Sequence, residues 1–406
     1  MLRKPNSIRR WLGLVAFLCC PGLPLASRAG DTDCNGNGIP DEQDLRTEVA
    51  FGQPYSVPTR EVRASVLADV DADGDLDVLL QLFFQFDAVP QRWVLLRNDG
   101  TGHFASDENP PPLVGGEIVA ADFNADGQMD LLLVGRLATD PEGPLHLRLY
   151  STPVDWNSPQ SDQVLSNPIG GVRAVDIDSD GDLDLVACQI PDTRQINVLE
   201  NVDGIFEERD SIEFAGEQVY VYSLSVGDLN RDGRADLAVV WEEYNPRSIA
   251  QHVELLLNTG SNSFELGPEV ALSENLRPAA VRILDTNRDG NGDLLLKVID
   301  LSKRQWYDSP GNYSYLFHFP GLGDGTFLPP HTVLLNTNDP MFADHLLLAD
   351  VNNDGHPDVV SRAAWNFNSE CHSGWQFDVL YSNTAGEYAD IVHSYHFPSL
   401  FFDIGA

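Results

Sequence analysis

The sequence has few cysteines and few positive charges. Of its five cysteines, Cys19 and Cys20 lie in an apolar N-terminal segment, which leaves Cys34, Cys188 and Cys371 for the rest of the chain. That count excludes a disulfide-scaffold protein and leaves open one bridge with one free thiol. Lysine and arginine number 25 against 62 aspartates and glutamates, for a formal net charge of −37. We therefore expect neither nucleic acid nor an anionic membrane surface as a partner.

The sequence also lacks an apolar run long enough to span a membrane. The run from Trp11 to Cys20 is too short to cross a bilayer. It follows a cluster of lysine and arginine residues and precedes a small-residue stretch that ends at Ala29. This order is typical of an export signal. We therefore expect residues 1–29 to be a signal peptide and the protein to be secreted or held at the cell surface, with the periplasm as the alternative.

Common catalytic motifs are missing as well. There is no HExxH, no GxSxG and no glycine-rich phosphate loop. The ten histidines are scattered without metal-ligand spacing. We therefore expect that the protein is not an enzyme. A polysaccharide lyase or hydrolase stays open as the alternative, because sequence does not reveal the separation between two carboxylates.

What the sequence does contain is one nine-residue pattern, Asp-x-(Asp/Asn)-x-Asp-Gly-x-x-Asp, in six copies at steps of 52 to 65 residues. We number its positions 1 to 9 and its copies loops 1 to 6. Side chains with oxygen atoms stand at positions 1, 3, 5 and 9. In loops 1 to 3 they are Asp69, Asp71, Asp73 and Asp77; Asp122, Asn124, Asp126 and Asp130; Asp176, Asp178, Asp180 and Asp184. In loops 4 to 6 they are Asp228, Asn230, Asp232 and Asp236; Asp285, Asn287, Asp289 and Asp293; Asp350, Asn352, Asp354 and Asp358.

Oxygen side chains at alternate positions and a glycine at position 6 indicate a calcium-binding loop. Calcium takes six to eight oxygen ligands, which four side chains, one backbone carbonyl and water can supply. A metal-free turn explains any single copy, but six intact copies favour the metal and predict about six calcium ions. Loops 1 and 3 carry an aspartate at all four of these positions and are expected to bind most tightly. Loop 5, with Thr286 and Gly292 at positions that are apolar elsewhere, is expected to bind most weakly.

The flanks of the loops predict strands. Alternating apolar residues lead into the loops, and apolar runs such as Leu131 to Val134 follow them. A second apolar strand comes next, and most repeats then turn into an aromatic residue. Units of about 55 residues with about four strands are typical of propeller blades. We therefore expect an all-β fold, a calcium-binding β-propeller of six four-stranded antiparallel blades, with seven as the alternative.

The segment Ala68 to Asp77 and the turn Gly323-Asp-Gly-Thr-Phe327 resemble the FG-GAP/VCBS repeats. These repeats build the β-propeller of integrin α-subunits and of many secreted bacterial proteins. The resemblance implies that residues 51–406 form one integrin-α-like propeller that binds calcium, and it does not specify a ligand.

A separate motif precedes the repeats, in residues 30–50. Its oxygen-bearing residues fall at positions 1, 3, 5, 9 and 12 of an EF-hand-like register: Asp33, Asn35, Asn37, Asp41 and Asp44. The segment resembles the short thrombospondin-type-3-like calcium segments of secreted bacterial proteins. It predicts one further calcium ion, with a flexible linker as the alternative.

Ligand binding is expected in the loops that vary most between repeats. The long connections of the last three repeats carry aromatic residues beside polar ones: Trp241, Tyr244, Trp306, Tyr307, Trp365 and Trp375. Such residues suit a sugar face or a protein partner, and packing between blades is the alternative interpretation. We therefore expect a monomeric binding module for an extracellular glycan or protein, with a role in adhesion or surface interaction. A purely structural cell-surface role is a further alternative.

Overall fold

A computed structural model describes most of residues 61–398. The gaps are 84–91, 102, 108–110, 190–193, 217–218, 246–247, 261–262, 301, 303–312, 336–345, 350–355, 368–371, 384–385 and 389–392. The expected signal peptide and the EF-hand-like segment, from Asp33 to Asp44, lie outside the described residues. Among the described residues, no helix is long and apolar enough to cross a membrane.

All named elements of the described residues are β-strands, as the sequence predicts. One eight-stranded sheet contains β1 (Glu61–Ala68), β2 (Asp77–Phe83), β3 (Arg92–Asn98), β4 (Phe104–Ser106), β5 (Leu113–Ala121), β6 (Asp130–Leu137), β7 (Leu145–Tyr150) and β8 (Ser161–Leu165). The next four-stranded sheets are β9 (Ile169–Val175), β10 (Asp184–Gln189), β11 (Gln195–Val202) and β12 (Ile205–Glu213), then β13 (Val219–Gly227), β14 (Asp236–Asn245), β15 (Ser248–Gly260) and β16 (Ser263–Leu266). The last two are β17 (Leu276–Leu284), β18 (Asp293–Asp300), β19 (Tyr313–Phe319) and β20 (His331–Leu335), then β21 (Leu346–Ala349), β22 (Asp358–Phe367), β23 (His372–Leu380) and β24 (His393–Pro398).

The fold class is a β-propeller of five blades, and the prediction of six blades, with seven as the alternative, is wrong. The described strands form five antiparallel sheets rather than six. The reason is a strand contact that the repeat count does not reveal. Arg92 of β3 pairs with Val114 of β5, so the strands of the first two repeats join in one eight-stranded sheet. Six copies of the loop therefore do not give six separate sheets.

The chain divides into two compact units. The first contains residues 1–174, 181–190 and 199–207, and the second contains residues 175–180, 191–198 and 208–406. In each repeat the predicted calcium loop connects the first strand to the second, and position 9 is the first residue of the second strand. The prediction that each loop joins two strands is thus confirmed.

In the second to fifth repeats, the second strand is buried on both faces over most of its length. In β6, Leu131 and Leu133 pack in one apolar cluster, whereas Leu132 and Val134 pack in another. Because successive side chains of a strand point to opposite faces, a continuous apolar run is what such a position requires. Each fully buried leucine contributes about 1.5–3 kcal/mol relative to an exposed one. β18 shows the same two-sided burial, with every residue from Asp293 to Asp300 buried.

A glycine-dependent bulge links the second repeat to the third within the first unit. The strand register shifts between Val114 and Glu117, and Gly116 adopts a φ of +66°. A Cβ at Gly116 would lie 1.7 Å from the carbonyl oxygen of Val134, so no side chain fits there. The carboxylate of Glu117 accepts hydrogen bonds from the backbone N–H groups of Gly171, at 2.6 Å, and Val172, at 2.9 Å.

Replacing Glu117 by alanine should therefore leave two partly buried N–H groups without an acceptor. Each such group costs about 1–3 kcal/mol, so Glu117→Ala should lower the free energy of unfolding by about 2–4 kcal/mol. Glu117→Gln keeps one carbonyl acceptor and should lose roughly half as much. Urea unfolding followed by tryptophan fluorescence measures both variants, with the exposed Glu142→Ala as the control. Equal stability of Glu117→Ala and the control would contradict this role.

Candidate metal sites

Loops 1 to 5, the predicted calcium loops whose positions 1 to 9 the structure describes, share a backbone conformation with positive φ at positions 4 and 6. Position 6 is glycine in every copy, and Gly74 and Gly127 have φ values of +95° and +86°. A Cβ at either glycine would meet nothing within 4 Å, so the conformation rather than lack of space calls for glycine. Position 4 also has positive φ, which the sequence pattern does not reveal. It is occupied by Ala72, Ala125, Ser179, Arg231 and Arg288, at φ of +55° to +65°.

The acid at position 1 closes the loop around its own backbone. The carboxylate of Asp69 accepts hydrogen bonds from the N–H of Asp73 at 3.1 Å and of Gly74 at 2.9 Å. Asp122 and Asp285 make the same pair of bonds in loops 2 and 5. The position-5 carboxylate in turn accepts the N–H of position 7, as Asp73 does from Asp75 at 2.9 Å. These bonds hold several side-chain oxygens of one loop close together.

The aspartate at position 9 fastens the loop to the sheet. In loop 4, Asp236 is fully buried, and its carboxylate accepts the N–H of Leu229 at 2.8 Å and of Asn258 at 2.8 Å. Leu229 is position 2 of the same loop, and Asn258 lies near the end of the third strand. Position 9 is fully buried in all six loops. The bond to the end of the third strand recurs at Asn98, Asn201, Gly321 and Ser382, at 2.7 to 2.9 Å.

The carbonyl oxygen at position 2 connects a loop to the following repeat. The side-chain amide of Asn201 donates to the carbonyl of Phe123 at 3.0 Å, and that of Asn258 donates to the carbonyl of Ile177 at 2.7 Å. In loop 1 the donor is instead the backbone N–H of Val154, which bonds to the carbonyl of Val70 at 2.8 Å. Sequence reasoning missed these asparagines. A sequence pattern could have identified them, namely an asparagine at the end of the third strand with a glycine two or three residues later, as at Asn98, Asn201 and Asn258.

Burial shapes the electrostatics of position 9. It raises the pKa of Asp77 to about 6 and that of Asp130 to about 6, despite the backbone hydrogen bonds that favour the charged form. Burial also raises the pKa of Asp236. These carboxylates therefore carry a desolvation cost that a bound cation would offset.

Loop 5 is the exception, and its anchor is polar. Burial opposes ionisation of Asp293, but hydrogen bonds from His318, Thr286 and Gly321 hold its pKa below the usual value. Thr286 is fully buried, and its hydroxyl lies 3.1 Å from Nε2 of His318. Position 2 of loop 5, which has Thr286 in place of an apolar side chain, is thus held by hydrogen bonds. The predicted order of calcium affinity stays a prediction.

The oxygens of loop 1 fit a hard cation. Carboxylate oxygens of Asp69, Asp71 and Asp73 all lie within 4.8 Å of one another. In addition, one carboxylate oxygen of Asp130 and one of Asp228 are buried without a hydrogen-bond partner among the described residues. A donor set made only of oxygen suits calcium rather than zinc or copper.

Some predicted metal ligands are divided between the two units, and others lie outside the described residues. Loop 3 is divided, with Asp176, Asp178 and Asp180 in the second unit and Asp184 in the first. Of loop 6 only Asp358 belongs to the described set, and Asp350, Asn352 and Asp354 lie outside it.

The aromatic residues predicted to bind a ligand are also partly described. Trp241 is buried, stacks on His252 with ring centroids 4.1 Å apart, and donates from its indole N–H to Glu254 at 3.0 Å. It thus packs inside the protein, as the alternative interpretation holds. Tyr244, Trp365 and Trp375 lie on β14, β22 and β23. Trp306 and Tyr307 are outside the described residues.

Comparison with known proteins agrees with the repeat. Residues 69–133 and 176–239 match a family described as an FG-GAP-like repeat. Each match begins at position 1 of a loop, covers the rest of that repeat and the next loop, and ends within the second strand of the next repeat. No curated protein matches the chain.

Replacing the position-9 aspartate should destabilise the fold even without metal. Asp236→Ala removes the acceptor of two N–H groups, so we expect a loss of about 2–4 kcal/mol in the free energy of unfolding. Asp236→Asn keeps one acceptor, so its free energy of unfolding should fall by less. Both are measured by urea unfolding in excess chelator, with the exposed Glu265→Ala as the control. If Asp236→Ala has the same free energy of unfolding as the control, the aspartate does not stabilise the contact between the loop and the sheet.

The metal-free protein should lose stability as the pH rises from about 4 to about 6. The folded pKa values of Asp77 and Asp130 are raised to about 6 from the ordinary 3.8. In this window the unfolded carboxylates ionise first, so the folded state binds more protons and stability falls with pH. Urea midpoints of protein stripped by a chelating resin should decrease across this range. The urea midpoint of the double variant Asp77→Asn and Asp130→Asn should decrease less over the same pH range. An equal decrease in the parent and the double variant would show that Asp77 and Asp130 do not cause it.

Proposed function

The chain carries FG-GAP-like repeats folded as the blades of a β-propeller, and on this premise we propose that it is a calcium-stabilised extracellular binding module. The oxygen cluster of Asp69, Asp71 and Asp73 is the observation that carries the calcium part. The net charge of −37 adds to it, because cations bound only by the folded state offset the repulsion among the aspartates.

In this proposal calcium is structural. Positions 1, 3, 5 and 9 would hold the ion, together with the carbonyl of position 7, and position 9 would keep its hydrogen bonds to the sheet as well. The loop begins and ends in strands, so a bound ion would fix the connection between the first two strands of a repeat. About six such ions are proposed for the loops, and one for the segment from Asp33 to Asp44.

The binding part of the proposal concerns an extracellular glycan or protein, with the protein secreted or at the cell surface. It is supported by the fold, because β-propellers present variable loops on a rigid scaffold. It is supported further by two aromatic residues of the later repeats, Trp306 in the sequence between β18 and β19, and Trp365 on β22. The protein would act in adhesion or surface interaction as a monomer and without catalysis.

Removing calcium should lower the melting temperature of the full chain by about 10 °C or more. A site filled at a hundred times its Kd adds about 2.7 kcal/mol of stability, and several sites add together. Differential scanning calorimetry in calcium and in excess EGTA measures the difference. Magnesium should not restore the lost stability, because it requires a smaller and more regular site. Identical melting curves in calcium and in EGTA would refute structural calcium.

The ligand is tested by binding purified protein to a glycan array and to extracellular protein extracts, with and without calcium. We expect calcium-dependent binding that Trp306→Ala and Trp365→Ala each weaken about tenfold or more, since buried aromatic anchors dominate interfaces. Trp241→Phe serves as the control for a buried tryptophan. Unchanged binding by both alanine variants, with folding retained, would remove these residues from the site. New reducing ends or unsaturated products from a polysaccharide would instead identify an enzyme.

A further inference from the structure

An arginine of the neighbouring strand bonds to an acid of the first loop. Arg97 lies on β3, with its side chain about one-third exposed at 31%. One terminal nitrogen of its guanidinium bonds to Oδ2 of Asp71, the position-3 acid, and lies 4.0 Å from Oδ2 of Asp77. Its Nε bonds to Oδ2 of Asp107 at 2.6 Å. The arginine therefore joins a predicted calcium ligand to an acid outside the loop.

A guanidinium and a calcium ion cannot share these oxygens without cost. The hydrogen bond from Arg97 takes up Oδ2 of Asp71, and two like charges a few ångströms apart repel each other strongly. Asp107 holds Arg97 in place through a bond that does not involve the loop. Calcium binding at loop 1 therefore has to displace Arg97 from Asp71 or accept its repulsion.

Loop 2 offers a direct comparison. Its acids Asp122 and Asp126 accept hydrogen bonds from backbone N–H groups, and no lysine, arginine or histidine pairs with either among the described residues. Asp71, Asp130 and Asp228 each have one buried oxygen without a hydrogen-bond partner in the described part of the chain, so loops 1, 2 and 4 differ in their arginine contacts and not in this feature. At positions 1, 3, 5 and 9, loop 2 has one carboxylate fewer than loop 1, but no positive side chain pairs with Asp122 or Asp126 among the described residues.

Loop 4 repeats the arrangement of loop 1 with a different arginine. Arg234 occupies position 7, and its terminal nitrogen lies 2.5 Å from Oδ2 of Asp232, the position-5 acid. Its Nε donates to the carbonyl of Asn258 at 2.9 Å, which ties it to the third strand. Loops 1 and 4 lie in different units and use arginines from different places in the repeat. The arrangement therefore does not depend on one local contact.

From these contacts we propose that Arg97 and Arg234 are internal competitors of calcium, which lower the affinity of loops 1 and 4 and stand in for the ion when calcium is scarce. The inference rests on the proposed calcium function and goes beyond it. It reverses the order expected from counting aspartates, because loop 2 then binds calcium more tightly than loop 1. Loop 2 therefore fills before loops 1 and 4 as the calcium concentration rises.

The test uses the full chain and the variant Arg97→Gln. Calcium affinity is measured by titration against a competing chelator, and the number of ions per chain by equilibrium dialysis. We expect one site to bind about tenfold more tightly, and this gain to vanish in the double variant Arg97→Gln with Asp71→Asn. In chelator the Arg97→Gln variant should melt at a lower temperature than the parent, and its melting temperature should rise more on adding calcium.

Arg136→Gln is the matched control. It removes the same charge from the same unit, but Nε of Arg136 donates to the carbonyl of Gly143 and not to a loop acid. It should leave both the calcium titration and the calcium-dependent rise in melting temperature as in the parent. Arg234→Gln gives an independent measurement at loop 4, which does not depend on the folding of Arg97→Gln.

Two results would overturn the inference. Only the second of them would also refute the proposal that the protein binds calcium. If the parent binds calcium and Arg97→Gln and Arg234→Gln bind it with unchanged or lower affinity, the arginines are not competitors, although structural calcium stands. If the parent and both variants bind no calcium, the calcium proposal fails and this inference fails with it.

Discussion

The buried aspartate at position 9 is the constraint on which the described structure depends most. It is the first residue of the second strand of each repeat and is fully buried in all six loops, so its carboxylate cannot reach bulk water. A buried carboxylate is tolerated only when hydrogen bonds or a cation satisfy it. In loops 1 and 4, Asp77 and Asp236 each accept one N–H from the loop and one from the end of the third strand. One side chain thereby fixes the loop, the second strand and the third strand relative to one another.

The same geometry explains why neighbouring repeats in a unit depend on each other. Once position 9 holds the N–H of position 2, the carbonyl of position 2 faces the following repeat. Asn201 and Asn258 use that carbonyl, and Val154 does so through its backbone. Glu117 adds a separate link between first strands. In repeat proteins stability is a sum of unit and neighbour contributions, and these bonds are the neighbour contributions that the structure shows.

Much of this could be predicted from the sequence, because the loop pattern and the apolar periodicity are local signals. The apolar run from Leu131 to Val134 predicted a strand, and the repeated loop pattern predicted a connection between two strands. The predictions that were wrong concern features that depend on contacts between residues far apart in the sequence. The pairing of Arg92 with Val114 joins two repeats in one sheet, and no local pattern announces it. The roles of Asn258 and Arg97 were likewise missed, because each depends on which loop lies beside it in the fold. Trp241 was expected in a binding loop, but its neighbours Glu254 and His252 keep it buried.

The central claim is that the loops hold calcium while position 9 keeps its bonds to the sheet. A crystal structure grown in calcium, with anomalous diffraction recorded, tests this most directly. The account predicts anomalous density within about 2.3–2.6 Å of oxygens from Asp69, Asp71 and Asp73, with Asp77 still accepting the N–H groups of Val70 and Asn98. Loops without anomalous density at saturating calcium, or an Asp77 turned away from both N–H groups, would contradict it.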